Sequence, residues 1–582
     1  MAIPGHHISP QGRSSFRVFA PKAQAVKVLL VGADGSADRV LPLRSEGVGY
    51  WVGECERLPH GCLYWLELDG QRLPDPASRY QPHGVHGPSM VADVIKVDSP
   101  AWRGVAMADA ILYELHLGTF TPEGTLAGAQ GRLGHLKALG VNVVELLPIA
   151  AFAGERNWGY DGTFLYALHQ AYGGYAELKA FIEAAHSLGI AVILDVVYNH
   201  FGPEGNYSGA LAPYTKAADT PWGAAINFDI AWNHGVREYF LENLRFWLQT
   251  VGFDGVRMDA VSLIFDNSPL HILREFTDLA RAIGQAEGRE VLTIAEHLRN
   301  NRYVTSDQGF NYHSQWNDDL NHAVYARLTG ETTRHYQNFG AFDDVVKALT
   351  SGFVYDGTRF DRYYGWYVGT DGRLTTAPEH VVHIQNHDQV GNRLHGDRMI
   401  SSYGRDKALL AITTIMASPF VPLLWMGEEY GETAPFYFFE DFSEQVIIDG
   451  CREGRKSDFA FGGAEPPDPH ARQTFVDSKL QWQRTDEPQG REFFAYYQQL
   501  ISLKRSGALG PRDMKAVTLV ADPATQVITL QTARTFTVLN FSAQPQAFVA
   551  PAAYANPVLC SVGRYVSGQV APFGAVVLAA RV

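Results

Sequence analysis

Gly252-Phe253-Asp254-Gly255-Val256-Arg257-Met258-Asp259-Ala260 is a short, largely apolar run that finishes in charge. A strand buried on both faces reads as such a run, but burial alone gives it no reason to end on Arg257 and Asp259. Short apolar runs recur in ILYELHLGTF (111–120), VNVVELLPI (141–149), IAVILDVVYNH (190–200), VLTIAEH (291–297), VVHIQNHD (381–388) and FVPLLWMGEE (420–429). Between these runs lie stretches of helical period, such as 175–186, with apolar positions three and four apart. Strand-length and helix-length segments in alternation predict parallel β/α units. One more strand closes an eight-stranded barrel, and GFNYHSQW (309–316) is the weak candidate for it. Five runs end in carboxylates, His, Asn or Arg. One such end is an ordinary helix cap, whereas five together put a site at the mouth where barrel strands finish.

The flanks read differently. Before residue 95, the stretches 15–19, 26–31 and 64–70 alternate or run apolar at the spacing of a small β-sandwich. Gly47-Val48-Gly49-Tyr50-Trp51-Val52-Gly53 has the wrong glycine spacing for a dinucleotide loop and reads as strand and turn. After 505–507 the helical pattern stops, and 527–531 and 536–541 are strand-like. The expected fold is therefore multidomain α/β: an N-terminal β-sandwich over 1–95, a catalytic (β/α)8 barrel over 96–509 and a C-terminal all-β domain over 510–582. The pair His6 and His7 reads as solvated side chains in a terminal tail.

Composition narrows the function classes. With 48 Lys+Arg against 62 Asp+Glu the 582-residue chain carries a net charge of −14, which repels nucleic acid and anionic membranes. Hydrophobic residues at 46% exclude a disordered chain. The N-terminus has neither a basic start nor an apolar core, and no run approaches the length of a membrane span, so no export signal or span is expected. Cys55, Cys62, Cys451 and Cys560 show no metal-ligand spacing, which fits reduced thiols and a cytoplasmic location. The Trp, Tyr and Phe content of 12% suits either a flat hydroxyl-rich ligand or large aromatic cores.

Several chemistries lack their cues. There is no G-x-S-x-G elbow and no Gly-Lys pair for a phosphate loop. His383 and His387 have a helical metal spacing but sit in a strand-like run without an HExxH glutamate. Paired carboxylates fit better. Splitting an acetal needs one group to protonate the leaving oxygen and another to stabilise or trap the oxocarbenium-like carbon. Asp259 and Glu296 end consecutive strands and can face each other across the mouth, where repulsion and burial raise one pKa. Arg257, two residues before Asp259, points to the same side. From the residues alone, a salt-bridged pair closing the barrel top is the alternative.

DVVYNH (195–200), GFDGVRMDA (252–260), TIAEH (293–297) and IQNHD (384–388) resemble, in order and spacing, the four signature regions of the α-amylase superfamily of retaining glycosidases. SFRVFAPKAQAVKVLL (15–30) is similar to the N-terminal sandwich of glycogen-type enzymes. Within the superfamily, GERNWGYDGTFLYAL (154–168), YNHFGPEGNY (198–207), TPWGAAINFD (220–229), IQNHDQVGNR (384–393) and MGEEYGETAPFYFF (426–439) resemble the maltooligosyltrehalose trehalohydrolase family. The resemblance implies release of trehalose from a maltooligosyltrehalose substrate, with no cofactor and no metal. It implies Asp259 as nucleophile, Glu296 as general acid and then base, and Asp388 as a third carboxylate gripping sugar hydroxyls. It further implies substrate contact by His200 and His387, Arg257 orienting Asp259, Asp195 bracing Arg257, and Tyr160 stacking on the sugar, with Trp158, Trp222 and Trp425 as neighbours. For each histidine the alternative is a buried, backbone-satisfied residue. Asn199 binds calcium in many amylases, though this family commonly does without it. His297 after the acid and Phe442, where the family tends to have His, are departures. Glycogen branching enzyme shares every catalytic residue, but its tail after the third aspartate's motif differs from NHDQVGNR. A non-catalytic glucan-binding protein would have lost a carboxylate or gained a membrane anchor.

Overall fold

Eight parallel strands close on one another in chain order: Leu112–Leu115, Val143–Leu146, Ala191–Val196, Gly255–Met258, Leu292–Ala295, Ser314–Trp316, His380–Val382 and Val421–Trp425. This computed structural model describes residues 3–32, 37–363, 365–459 and 465–581. The weak stretch 309–316 supplies the sixth strand, but only with its last three residues. Asn311 at φ 62° turns the chain just before it, which is why the run shows no clean alternation. Side chains alternate along each strand, and the inward set changes character with height. Low in the barrel, Leu112, Val143, Ile193, Leu292, Ile294, Val381, Val421 and Leu423 pack as one apolar plug. Two residues further along, the interior positions are Glu114, Glu145, Asp195, Arg257, Trp316 and Trp425, all buried. The register pairs Glu114 with Glu145 and Asp195 with Arg257 on neighbouring strands. The plug excludes water from below, so these charges must find partners among themselves or at the open end.

A long excursion, 197–232, leaves the third barrel strand before its helix Asn233–Arg245 and contains the hairpin Thr215–Thr220 and Gly223–Ile226. A second hairpin, Asp356–Asp361 and Trp366–Gly369, follows the sixth strand's helices.

Two sheets form the N-terminal module. One orders Gly5–Ile8, Ser14–Phe19, Tyr50–Cys55 and Arg44–Gly47; the other orders Ala37–Pro42, Val26–Val31, Leu63–Leu68 and Gln71–Leu73. They close over Phe16, Val18, Val28, Tyr64 and Leu66. The segment 47–53 is strand and turn as expected, with Gly47, Val48 and Gly49 all at positive φ. The reading of His6 and His7 as solvated tail residues fails. Both belong to the edge strand Gly5–Ile8, and His6 is buried against Phe16 with Nε2 2.9 Å from Ser14 Oγ. Burial lowers its pKa to about 4. A four-residue strand pinned by its neighbour carries too little period to be read from sequence.

Arg17 joins this module to the barrel. Its Nη1 donates to Glu238 of helix Asn233–Arg245 at 3.0 Å, its Nε donates to Glu46 at 3.3 Å, and the guanidinium lies 3.5 Å over the Tyr50 ring. At the other end, Thr518–Asp522, Val527–Gln531, Thr535–Asn540, Ala575–Ala580 and Tyr554–Cys560 form a five-stranded sheet that meets the barrel helices, with Phe541 against Phe342. The four cysteines form no disulfide. Among the described residues, no helix is long and apolar enough to cross a membrane.

Candidate active site

Arg257 is the hub. It is fully buried, so its charge must be met locally, and three carboxylates meet it. Nη1 donates to Asp195 at 2.9 and 2.7 Å and to Asp259 Oδ1 at 2.9 Å. Nη2 lies 2.9 Å from Glu296 Oε2, a close charge contact whose direction does not suit a hydrogen bond. Its face also rests 4.2 Å over the Trp316 ring. Asp259 takes a second donor, Asn199 Nδ2, on Oδ2 at 2.7 Å. The next residue, Ala260, is forced to φ 39°, and this turn aims its N–H at Glu296 Oε2, 2.8 Å away. Left-handed backbone at a non-glycine residue is strain, found here where it fixes the two carboxyl groups relative to each other.

A second group gathers around His387. This residue opens the short helix His387–Gly391, whose first turn also carries Asp388 and is capped by Asn386. His387 Nδ1 meets Glu114 Oε1 at 2.5 Å, its backbone N–H donates to Glu114 Oε2 at 3.1 Å, and Nε2 faces Asp388 Oδ1 at 3.6 Å. Asn392 Nδ2 donates to Asp388 at 2.9 Å. The Tyr160 ring stacks on His387 at 4.9 Å, and its hydroxyl donates to Asp195 at 2.6 Å, which ties this group to Arg257. His200 bonds the Tyr160 carbonyl through Nε2 at 3.0 Å and Asn199 through Nδ1. Both of its ring nitrogens thus have protein partners, whereas His387 keeps Nε2 on the Asp388 side. Trp222, half exposed, stacks on His200 at 5.4 Å. All eight residues expected at the site, Tyr160, Asp195, His200, Arg257, Asp259, Glu296, His387 and Asp388, belong to one connected network at the strand ends.

Electrostatics separates the two central carboxyls. Burial pushes the Glu296 pKa up; Arg257 opposes this, Asp259 and Asp388 add to it, and the result is about 8. Burial also raises Asp195, to about 6, against the pull of Arg257. For His387 burial alone would lower the pKa, but Asp388 and Glu114 outweigh it and bring it to about 9. A protonated Glu296 beside an Asp259 held by two donors supplies a proton donor and an anionic oxygen on one wall, the pair that acetal cleavage requires. Among the described residues, no group of three His, Cys, Asp or Glu side chains is arranged to hold a metal ion.

Known proteins show the family of the chain. Residues 89–220 match the alpha amylase catalytic domain, and residues 5–83 match carbohydrate-binding module 48, the isoamylase N-terminal domain. A malto-oligosyltrehalose trehalohydrolase from Saccharolobus solfataricus is 40% identical over 504 residues, covering 85% of this chain and 86% of the relative. The chain belongs to the malto-oligosyltrehalose trehalohydrolase family. A 1,4-alpha-glucan branching enzyme of Lactobacillus acidophilus is more distant, 27% identical over 72% of this chain and 68% of its own length. The crystal structure of a Salmonella typhimurium protein described as an alpha amylase superposes with a TM-score of 0.90 at 35% identity, over 99% of each chain.

In this trehalohydrolase-family chain, three contributors to the network escaped sequence reasoning. Glu114 sits in the run ILYELHLGTF, where the apolar flank hid its inward position; strand period puts it on the face of Leu112, but only the register between strands sets it beside Glu145. Asn199 was weighed only as a calcium ligand, yet its side chain holds Asp259 and His200. Asp318 follows the short sixth strand, 3.5 Å from His383, and burial with nearby Asp388 raises its pKa to about 7. The polar end Asn317-Asp318-Asp319 was its available signal.

Proposed function

We propose that this glycosidase hydrolyses the α-1,4-glucosidic bond next to the terminal trehalose unit of a maltooligosyltrehalose, releasing trehalose for trehalose biosynthesis. The observation that carries the reading is the single guanidinium of Arg257 gripping Asp195, Asp259 and Glu296, in a chain of this family. Glu296 gives its proton to the glycosidic oxygen as Asp259 attacks the anomeric carbon. Trehalose departs with that proton and a glycosyl ester remains on Asp259. The Glu296 carboxylate then takes a proton from water, whose oxygen displaces Asp259 and retains the configuration. Asp388 and His387 hold hydroxyls of the sugar at the cleaved bond, more tightly as the ring flattens. Tyr160 stacks on that sugar, Asp195 braces Arg257, and His200 reaches a hydroxyl when Nε2 exchanges its carbonyl partner. No cofactor takes part, and the location is cytoplasmic. On the same reading the chain divides near residues 95 and 510.

The test is a comparison of maltotriosyltrehalose with maltopentaose at equal concentration. The reading predicts trehalose as product and hydrolysis of the first at least about tenfold faster, the range that a few contacts specific to the terminal α,α-1,1-linked pair supply. No trehalose, or faster cutting of maltopentaose, overturns it. New α-1,6 branch points formed from amylose would favour the branching activity of the more distant relative.

A further inference from the structure

We propose that Trp232, together with the sandwich turn beside it, forms a second docking site for an α-1,4-glucan chain, outside the cleft. Trp232 adopts φ 64° and ψ 17°, a left-handed conformation that a bulky side chain occupies only under strain. The turn around it holds the strain: Asn227 accepts from the Ile230 N–H at 3.0 Å and donates to the Ala231 carbonyl at 3.1 Å, and the Asn233 N–H donates to the Ile230 carbonyl at 3.1 Å. Trp232 itself is left 40% exposed, and its side chain makes no capping hydrogen bond to the helix Asn233–Arg245 that it precedes.

The surroundings are built across two modules. Val48 stands at the tip of the sandwich turn, also left-handed at φ 44° and 71% exposed, and Ile230, half exposed, lies two residues before Trp232 in sequence. His234 joins the two sides: Nε2 meets the Val48 carbonyl at 3.0 Å, and its ring lies 6.0 Å from the Trp232 ring and edge-on to buried Phe19 at 5.2 Å. Two strained apolar residues are thus held at fixed positions on the surface, with an exposed imidazole and the half-exposed Glu46 carboxylate nearby in sequence to meet hydroxyls.

Position and chemistry select the occupant. The helix after Trp232 follows the strand Ala191–Val196 and the excursion 197–232, so Trp232 lies on the face of the barrel where the strands end, as Asp259 and Glu296 do. The same excursion carries Trp222, ten residues earlier, against His200 at the site. The other wall belongs to the segment matching carbohydrate-binding module 48. An exposed indole face suits the C–H face of a glucose unit, and the net charge of −14 disfavours polyanions. The inference rests on the maltooligosyl reading above for the identity of the glucan.

Native electrophoresis through amylopectin tests it, run with D259N to prevent turnover, D259N/W232A and D259N/V48N. Asn accepts left-handed backbone, so V48N removes apolar surface without adding strain. Retardation should weaken at least fivefold in apparent Kd for W232A and measurably for V48N, while W232A in the otherwise native chain keeps kcat/KM on maltotriosyltrehalose within twofold. If W232A loses that rate, V48N decides. Unchanged retardation in both overturns the proposal, as does a change of sedimentation with unchanged retardation, which would make the patch a contact between copies of the chain. If the native chain releases no trehalose but retardation still depends on Trp232, the activity reading falls and the docking site stands.

Discussion

The role proposed for Glu296, that of the acid, follows from where it is buried. Low dielectric and the neighbouring Asp259 and Asp388 carboxylates outweigh Arg257, so its proton stays on until about pH 8. An acid must be protonated to donate, so kcat/KM is predicted to hold below that pH and to fall about tenfold per unit above it. E296Q should lose about 10²- to 10⁴-fold in rate on the natural substrate and show no such limb. A descending limb at the ordinary carboxylate range near 4 would contradict the assignment of the acid. Legibility at this scale was uneven for a physical reason. Asp259, Glu296 and Asp388 stand at the ends of apolar runs, where a charge is conspicuous. Glu114 and Glu145 stand inside such runs, and nothing in a single sequence says that the barrel interior turns polar at that height. Glu145 is buried with no partner for either oxygen, and burial beside Glu114 raises its pKa well above the usual carboxylate range.

At the scale of elements, the turn after the strand Gly255–Met258 ties the Asp259 and Glu296 carboxyls together. Ala260 holds φ 39° so that its N–H reaches Glu296, and this donor favours the charged carboxylate. A β-branched side chain tolerates that backbone poorly, at a cost of about 1–2 kcal/mol. Ala260→Val is therefore expected to displace the N–H, move the alkaline limb of kcat/KM above its native position and lower the rate about tenfold or more; an unmoved limb would show that the turn does not set the acid. Barrel strands were legible because parallel strands buried on both faces are continuous apolar runs. The sixth, Ser314–Trp316, was the faintest because three residues carry almost no period, and Gly5–Ile8 was misread for the same reason.

For the whole molecule, the sandwich meets the barrel through apolar contact, with Phe19 and Tyr50 in the barrel's core cluster, and through a few polar groups. Arg17 bridges Glu46 of the sandwich and Glu238 of the barrel helix, and Tyr50 bonds Glu238 as well. Arg17→Ala is predicted to destabilise this junction by about 2 kcal/mol, less than for a fully buried pair because Glu238 keeps some contact with water. Urea unfolding followed by tryptophan fluorescence should show an earlier first transition; a superimposable curve would make the bridge energetically idle. None of this seam was legible from sequence, since Arg17 and Glu238 lie 221 residues apart and neither stands out locally. The central claim is that Asp259 and Glu296 cleave the bond beside trehalose by double displacement. The most direct measurement is proton NMR of maltotriosyltrehalose during the first turnovers. The account predicts free trehalose together with a new reducing end that appears first as the α-anomer; a β-anomer appearing first, or no trehalose, would contradict it.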